Sequence, residues 1–283
     1  MVRDFHSNDD FLMTLAFVTW NPDPVIFRIG AFSVRWYSLF LLVSFYLSYS
    51  FMLHIFEREG KPKDILISYT ILILAGLLIG GRLVHCLAYE PEYYLKYPWD
   101  IIKPWRGVLG QNARFVGYRG MAGHGSALGI VLAIVIYSIR AKFSIVWMVD
   151  RVALFGPLIG FFVRIGNLFN SEILGNISEV PWAFVFVRAD RVPRHPVQLY
   201  EALAYLVIFF ITYRYYLKQA GREKPGSILG LVLVLVYSAR FILEFFKDKQ
   251  SDVEVGMVLN MGHLLSIPFI VVGLFLLFRP VKK

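Results

Sequence analysis

Charged residues are scarce in this chain of 283 residues: Asp, Glu, Lys and Arg make up 17% of it, and hydrophobic residues make up 57%. A soluble domain usually has about a quarter of its residues charged, so the composition excludes a water-soluble globular fold. Mean hydropathy is +0.59, and several apolar runs approach about 20 residues, the length that crosses a bilayer. The sequence therefore predicts an all-α, polytopic integral membrane protein.

Cysteine is almost absent as well. The single cysteine, Cys86, excludes an intrachain disulfide and a cysteine metal cluster, and its apolar surroundings predict a buried thiol, not a nucleophile. We expect no cleavable signal sequence, because residues 1–10 are polar and the apolar stretch 11–20 ends at Asn-Pro-Asp-Pro. That stretch is too short to span a bilayer, and we expect it to form a short N-terminal interfacial helix.

Seven apolar runs of spanning length follow, each bounded by polar residues, proline or glycine. The fourth is irregular, since it contains Asp150, Arg151 and Pro157. We expect a single transmembrane domain over residues 1–283, with an N-terminal interfacial segment at 1–30 and periplasmic loop segments at 90–120 and 171–196. The runs cover approximately residues 31–54, 65–89, 121–139, 145–169, 197–217, 226–246 and 262–279.

The net charge of +9 does not indicate nucleic-acid binding. Most basic residues lie in short loops between apolar runs, where they orient the chain and meet anionic membrane lipid. Lys and Arg are densest in the loops after the first, third and fifth runs and in the tail 279–283. The positive-inside rule therefore predicts that the C-terminus is cytoplasmic and the N-terminus is on the outer side.

Glycine pairs spaced four residues apart recur in or beside the runs. Such small-xxx-small pairs predict close helix packing, because the missing side chains let two backbones approach. One pair adjoins His124 and would also leave room for a substrate near the backbone, but packing is the favoured interpretation. The pairs are Gly76/Gly80, Gly125/Gly129, Gly156/Gly160 and Gly226/Gly230.

Ionisable side chains at membrane depth are costly and normally face a partner or a wet cavity. Taken singly, each has a structural explanation; Arg240 and Glu244, for example, are spaced for an intrahelical pair. Taken together, they fall near the outer ends of their runs, with Arg82 and Glu244 a turn or two deeper. The polar set comprises Arg82, His124, Arg164, Asn167, Asn170, Glu172, His195, Gln198, Tyr200, Glu201, Arg240 and Glu244.

Arg164 and Arg240 indicate an anion site. Two arginines in a medium of low dielectric constant repel each other unless an anion joins them, and the planar guanidinium suits phosphate. We therefore predict a phospholipid pocket beside them that opens to the outer leaflet. His124, which lies between glycines, is favoured as the base, and His195, which precedes Pro196, as a positioning residue.

Two other functions fit parts of this pattern. A transporter or binding protein for an anionic lipid or metabolite also places arginines in the membrane and uses broken helices, but no internal repeat relates two halves of this chain. An intramembrane protease fits less well, because the runs contain neither a Gly-x-Ser-x-Gly serine nor paired aspartates.

Six polar motifs follow one another along the chain. They are Asp23-Pro24 with Arg35-Trp36-Tyr37, Gly80-Gly81-Arg82, Gly120-Met121-Ala122-Gly123-His124-Gly125, Arg164-x-Gly166-Asn167-x-x-Asn170-x-Glu172-x-x-Gly175, Arg194-His195-Pro196-x-Gln198-x-Tyr200-Glu201 and Arg240-x-x-x-Glu244. In this order they resemble the motifs of the prolipoprotein diacylglyceryl transferase family over nearly the whole chain. The fourth motif is specific, and the ordered series is more so.

The resemblance implies an enzyme of the bacterial cytoplasmic membrane. Such an enzyme transfers diacylglyceryl from phosphatidylglycerol to the thiol of the lipobox cysteine of a prolipoprotein, so that a thioether forms and glycerol phosphate leaves. It implies no metal and no redox cofactor. Arg164 and Arg240 would bind phosphate, and His124 would be the essential histidine.

The resemblance also implies the remaining site residues. Glu172 and Glu244 are expected as catalytic residues that hold the two arginines in place and limit their repulsion. The residues expected to bind substrate, besides Arg164, are Asn167, Asn170, Tyr37, Arg82, His195, Tyr200 and Gly175.

Overall fold

The computed structural model describes residues 17–30, 32–106, 114–115, 120–219, 224–249, 257 and 259–280. Within them, seven helices are long and apolar enough to cross a membrane. They are α1 (Trp36–Arg58), α2 (Lys63–Val84, extended by a π-helical turn, His85–Tyr89), α4 (Gly123–Ala141), α5 (Ile145–Asn170), α6 (Val197–Gln219), α7 (Ser227–Leu243, extended by a 3-10 turn, Glu244–Phe246) and α8 (Met261–Phe278). A short helix, α3 (Pro91–Lys96), and a 3-10 turn (Pro98–Ile101) follow α2.

These helices expose large apolar side chains along their length. Leu42 is 66% exposed, and Phe275 and Phe278 are 65% and 78% exposed. Contiguous apolar surface of this kind is rare on proteins in water and is the surface that meets lipid tails. The protein is a multi-pass membrane protein.

Short strands join the spanning helices. They are β1 (Val18–Trp20), β2 (Val25–Ile29), β3 (Phe32–Arg35), β4 (Trp105–Arg106), β5 (Arg114–Phe115), β6 (Phe184–Phe186) and β7 (Pro193–Arg194). Strand β6 pairs in parallel with β1 and antiparallel with β7, and β2 with β3 and β4 with β5 form antiparallel pairs. The loop 171–196 is therefore an ordered segment tied to the beginning of the chain.

The seven predicted spans are confirmed, with three corrections of detail. The first was predicted to begin at residue 31, but Phe32–Arg35 form a strand and the helix begins at Trp36. The predicted interfacial helix is not confirmed: Val18–Trp20 form a strand, and the part of that helix in residues 11–16 lies outside the described residues. The fourth span, which was expected to be irregular, is one continuous helix of 26 residues, because α5 continues through Pro157.

The chain divides into two compact units, residues 1–50 with 150–283, and residues 51–149. We call them the first and the second unit. The expectation of a single domain stays a prediction.

In the second unit, α2 and α4 pack through glycines. A Cβ atom on Gly80 would overlap the carbonyl oxygen of Gly125, and one on Gly76 would lie 2.9 Å from the Cβ of Ala133 and overlap the carbonyl oxygen of Gly129. Backbones therefore touch where the sequence has no side chains, as the small-xxx-small pattern predicts.

In the first unit, Asp150 explains one of the buried charges. It is 2% exposed, and its carboxylate accepts hydrogen bonds from the backbone N–H groups of Gly226 (2.7 Å) and Leu229 (2.9 Å). It thus caps the N-terminus of α7, where unpaired N–H groups and the helix dipole favour an anion.

Candidate active site

Three ion pairs in the first unit form one continuous chain of charges. Glu201, whose side chain is fully buried, places Oε2 2.9 Å from Nε of Arg164 and Oε1 3.0 Å from Nζ of Lys247. The same Nζ lies 2.9 Å from Oε2 of Glu244. We call Arg164, Glu201, Lys247 and Glu244 the ion-pair chain. It links the end of α5 through the start of α6 to the end of α7, and each buried charge in it has an opposite partner, without which its burial would be costly.

Arg240 differs from the members of this chain. Among the described residues, no carboxylate lies within ion-pairing distance of it, and Glu244, whose spacing from Arg240 allows an intrahelical pair, pairs instead with Lys247. Tyr205 lies close enough to Arg240 and to Arg164 to interact electrostatically with both. Both arginines therefore lie in the neighbourhood of Tyr205, and the positive charge of Arg240 is available to an anion.

Glu172 is held by amides. Its two carboxylate oxygens accept hydrogen bonds from the side-chain nitrogens of Asn167 (3.1 Å) and Asn170 (3.2 Å). Its backbone carbonyl accepts one from Nε2 of Gln198 (2.7 Å). The carboxylate that pairs with Arg164 is therefore Glu201, where the sequence pointed to Glu172 and Glu244.

Tyr37, at the start of α1, lies against the same part of α5. A Cβ atom added to Gly166 would lie 2.5 Å from Cδ2 of its ring, so the glycine of the fourth motif makes room for the tyrosine. Tyr37 interacts electrostatically with Glu172 and with Arg164. The structure brings these predicted site residues together.

Gly175 holds the loop after α5 close to the rest of the unit. A Cβ atom on it would lie 2.8 Å from the Cβ of His195 and overlap its carbonyl oxygen. Gly175 also forms an isolated β-bridge with Lys247, which continues in the hydrogen bonds Asn176 N–H to Phe246 O (2.8 Å) and Asp248 N–H to Leu174 O (3.1 Å). Close packing accounts for the glycine, and this pairing places Lys247 beside Glu201.

Arg194 stabilises the pairing of Gly175 with Lys247. Its Nη1 donates to Gly175 O (2.7 Å) and to Oδ2 of Asp248 (2.8 Å), and its Nε donates to Oδ2 of Asp190 (2.7 Å). Burial alone would lower the pKa of Arg194, but the hydrogen bonds to Asp190 and Asp248 outweigh it and raise that pKa above its ordinary value. Arg194 therefore stays charged and joins three segments of the loop region.

His195 is part of a short hydrogen-bonded series. Its Nδ1 lies 3.1 Å from the hydroxyl of Tyr200, which accepts a hydrogen bond from Nε1 of Trp182 (2.7 Å). Because the Tyr200 hydroxyl already accepts a hydrogen bond from Trp182, we expect it to donate its own hydrogen bond to Nδ1 of His195. Burial lowers the pKa of His195, which favours the neutral ring at pH 7.

The second unit holds His124 and Arg82. His124 is exposed in the first turn of α4, and its motif is tied to α2 by Ala122 N–H to Gly81 O (3.0 Å) and Ser126 Oγ to Leu77 O (3.0 Å).

Arg82 is 9% exposed and donates from Nε to Ile101 O and from Nη2 to Asp100 O, both at 2.9 Å, and to the hydroxyl of Tyr94 at 3.3 Å. These bonds tie α2 to the segment after it, so Arg82 has a structural task. Its expected role in substrate binding stays a prediction.

Three contributors were missed from the sequence. Lys247 and Tyr205 were not considered, and Glu201 was seen only as one member of the polar set. Two signals were available: Lys247 lies three residues after Glu244, and Tyr205 lies four residues after Glu201 on the same helical face.

A sequence model of the prolipoprotein diacylglyceryl transferase family matches residues 24–279, nearly the whole chain. The chain belongs to this family. It is similar to the phosphatidylglycerol–prolipoprotein diacylglyceryl transferase of Chloroherpeton thalassium, with 42% identity over 272 residues that cover 95% of this chain and 97% of that protein. The enzymes of the same name from Bacteroides fragilis (38% over 270 residues, 94% and 96% covered) and Tolumonas auensis (39% over 265 residues, 93% and 98% covered) are also similar. Family membership confirms the resemblance, makes the protein a transferase and does not support the transporter alternative.

Proposed function

We propose that this transferase moves the diacylglyceryl group of phosphatidylglycerol to the thiol of a lipobox cysteine in a prolipoprotein. The sulfur forms a bond to the glyceryl carbon that carries the phosphate, and the bond from that carbon to the phosphate oxygen breaks. Glycerol phosphate leaves with the electron pair, and the thiol proton passes to a base. The names of the relatives, which combine phosphatidylglycerol, prolipoprotein and diacylglyceryl transfer, support this reaction.

The observation that carries the proposal is that Arg164 and Arg240 both interact electrostatically with Tyr205, with no described carboxylate paired to Arg240. A phosphate diester supplies the anion that this arrangement lacks. As the carbon–oxygen bond breaks, negative charge grows on the phosphate, and fixed guanidinium groups stabilise it most at that moment. We assign Arg164 and Arg240 to the phosphate.

The other residues position these two. Glu201 and Lys247 set the place of the Arg164 guanidinium, and Glu244 holds Lys247. Glu172 with its amides, Asn167 and Asn170, forms the polar wall next to Tyr37. We assign Tyr200 and Gly175 to the support of this wall through His195.

We assign the base to His124, whose ring is open to a substrate thiol. His195 is the alternative, with its Nδ1 already engaged by Tyr200. The pH profile of kcat separates the two: His124→Gln should remove the rise in rate that follows deprotonation of the base, and His195→Gln should keep it. The opposite result would assign the base to His195.

We further propose that the protein lies in the bacterial cytoplasmic membrane with its N-terminus in the periplasm and its C-terminus in the cytoplasm. The chain allows a clean test, because its one cysteine, Cys86, is buried. The thiol introduced by Lys142→Cys, in the short loop after α4, should react with a membrane-impermeant maleimide only after the cells are opened. Reaction of this thiol in intact spheroplasts would indicate the opposite orientation.

The reaction itself is tested with purified protein, phosphatidylglycerol and a lipobox peptide. We expect the peptide to gain the mass of one diacylglyceryl group while glycerol phosphate is released in equal amount. A peptide with serine in place of cysteine is the control and should gain nothing. Recovery of unmodified peptide and intact lipid would refute the proposal.

A further inference from the structure

Gly262, in the first turn of α8, borders the carboxylate of Glu244. A Cβ atom added to Gly262 would overlap the carboxyl carbon and Oε1 of Glu244 and would lie 2.6 Å from Oε2. Glu244 is 6% exposed, so its carboxylate has little free space into which to retreat. The carboxylate thus occupies the volume that any other residue at position 262 would fill.

The glycine is not required by backbone conformation. Among the described residues, the glycines with positive φ are Gly30, Gly60, Gly120 and Gly226, and Gly262 has an ordinary helical backbone. In a helix, glycine costs about 1 kcal/mol relative to alanine. The space needed by Glu244 is therefore the physical reason for a glycine here.

The start of α8 is also fixed in place, so the helix cannot easily move back. His263 is 2% exposed, and its ring lies 4.9 Å from that of Phe241 and 4.3 Å from that of Phe245, measured between centroids. Ser266 donates from Oγ to Gly262 O (2.7 Å). A side chain at position 262 would therefore displace Glu244 in preference to α8.

Two favourable interactions depend on this placement. The N-terminal turn of a helix stabilises a nearby anion, so α8 stabilises the carboxylate that rests on it. On its other side, that carboxylate holds Nζ of Lys247, which in turn holds Glu201 and through it Arg164. A displacement at Gly262 is passed on to Arg164 through these contacts.

We propose that Gly262 is a positioning residue of the transferase. It provides the space for the carboxylate of Glu244, so that the ion-pair chain holds Arg164 in the position that binds the phosphate. This inference rests on the proposed function. Gly262→Ala should lower kcat by about 10- to 100-fold, because small misplacements of a catalytic group have effects of that size. The KM for phosphatidylglycerol should change much less.

A second substitution tests the cause. Glu244→Asp shortens the side chain by one methylene and removes most of the overlap, so the loss in kcat caused by Gly262→Ala should be at least about fivefold smaller in Glu244→Asp than in the wild type, as expected for residues in direct contact. Thermal unfolding of the wild type, the two single variants and the double variant should also show non-additive effects, and this measurement does not depend on enzyme activity. Additive effects on unfolding, or an equal loss in kcat from Gly262→Ala in the wild type and in Glu244→Asp, would overturn the proposal.

Two glycines serve as matched controls. Gly156→Ala, in α5, meets nothing within 4 Å and should keep wild-type kcat. Gly273→Ala, in α8, would meet α7 at Gly230 O (2.9 Å); it should destabilise the protein and gain nothing from Glu244→Asp. Rescue of Gly273→Ala by Glu244→Asp would contradict the proposal. If the wild type transfers no lipid while unfolding remains non-additive, the proposed function fails and the contact of Gly262 with Glu244 stands.

Discussion

Arginines lie within the spanning helices of both units of the molecule, and they have different surroundings. In the second unit, Arg82 donates to two backbone carbonyls and a tyrosine hydroxyl. In the first unit, Arg164 pairs with a carboxylate, and Arg240 has no carboxylate within ion-pairing distance among the described residues. An arginine bound to neutral carbonyls ties the fold together, and an arginine with uncompensated charge is prepared for an anion. The residue type alone does not separate the two.

Glycines show the same contrast. On α2 and α4 they face the backbone of the neighbouring helix, as for Gly80 and Gly125. In the first unit, Gly166 faces the ring of Tyr37, and Gly262 faces the carboxylate of Glu244. Missing side chains bring helices together in both units, since Gly230 and Gly273 do so for α7 and α8, but Gly166 and Gly262 of the first unit make room for site residues.

The largest effect is expected from Glu201→Gln, which breaks the ion-pair chain at its centre. Arg164 and Lys247 would then face a neutral amide in a buried position, and breaking a buried pair in this way costs about 3–5 kcal/mol. We expect the unfolding midpoint in detergent to fall sharply and transfer to be lost. Glu90→Gln is the control, because Glu90 is 44% exposed in its contact with His85; equal midpoints for the two variants would contradict the role of the chain.

Arg240→Lys should have the next largest effect, and we expect this effect on turnover, not on stability. The ammonium keeps the charge but loses the planar fork, so we expect a fall in kcat of about 100-fold, or about 2.7 kcal/mol, with little change in unfolding. Arg82→Lys should lower the unfolding midpoint more than Arg240→Lys does, because it loses hydrogen bonds that hold α2. Unchanged turnover of Arg240→Lys would remove Arg240 from the phosphate site.

The spanning helices could be predicted from the sequence because their signal, about 20 apolar residues in a row, is local. The start of α1 could not, because the apolar residues of β3 continue into the helix and a short apolar run fits either structure. The ion-pair partner of Arg164 could not be predicted from the sequence either. Glu201 and Lys247 lie far apart in sequence, and they meet because α7 tightens into a 3-10 turn that brings Lys247 back toward α6. Local spacing instead allowed a pair of Arg240 with Glu244.

Gly129→Ala tests the glycine half of the comparison. The added Cβ would overlap the carbonyl carbon and oxygen of Gly76 and force α2 and α4 apart, and overpacking of this kind costs about 1–3 kcal/mol. We expect a lower unfolding midpoint in detergent. Gly123→Ala, in the same helix but with nothing within 4 Å, should keep the midpoint or raise it slightly, because alanine favours a helix more than glycine does; a matching loss there would show that the contact with Gly76 is not responsible.

The smallest effect is expected at the edge of the first unit, where Asp190 pairs with Arg194. Burial acts to raise the pKa of Asp190, but the hydrogen bonds from Arg194 and from the backbone N–H of Val192 hold that pKa below its ordinary value. A carboxyl whose pKa is lowered by folding adds stability above the unfolded pKa, about 3.9, and that stability is lost as the pH falls through the folded pKa. Since the Asp190 side chain is 35% exposed, solvent screening limits its contribution to about 1 kcal/mol or less. The unfolding midpoints of wild type and Asp190→Asn should therefore differ modestly at pH 7 and converge below about pH 4, whereas a difference that stays constant down to pH 3 would show that the contribution of Asp190 is not its charge.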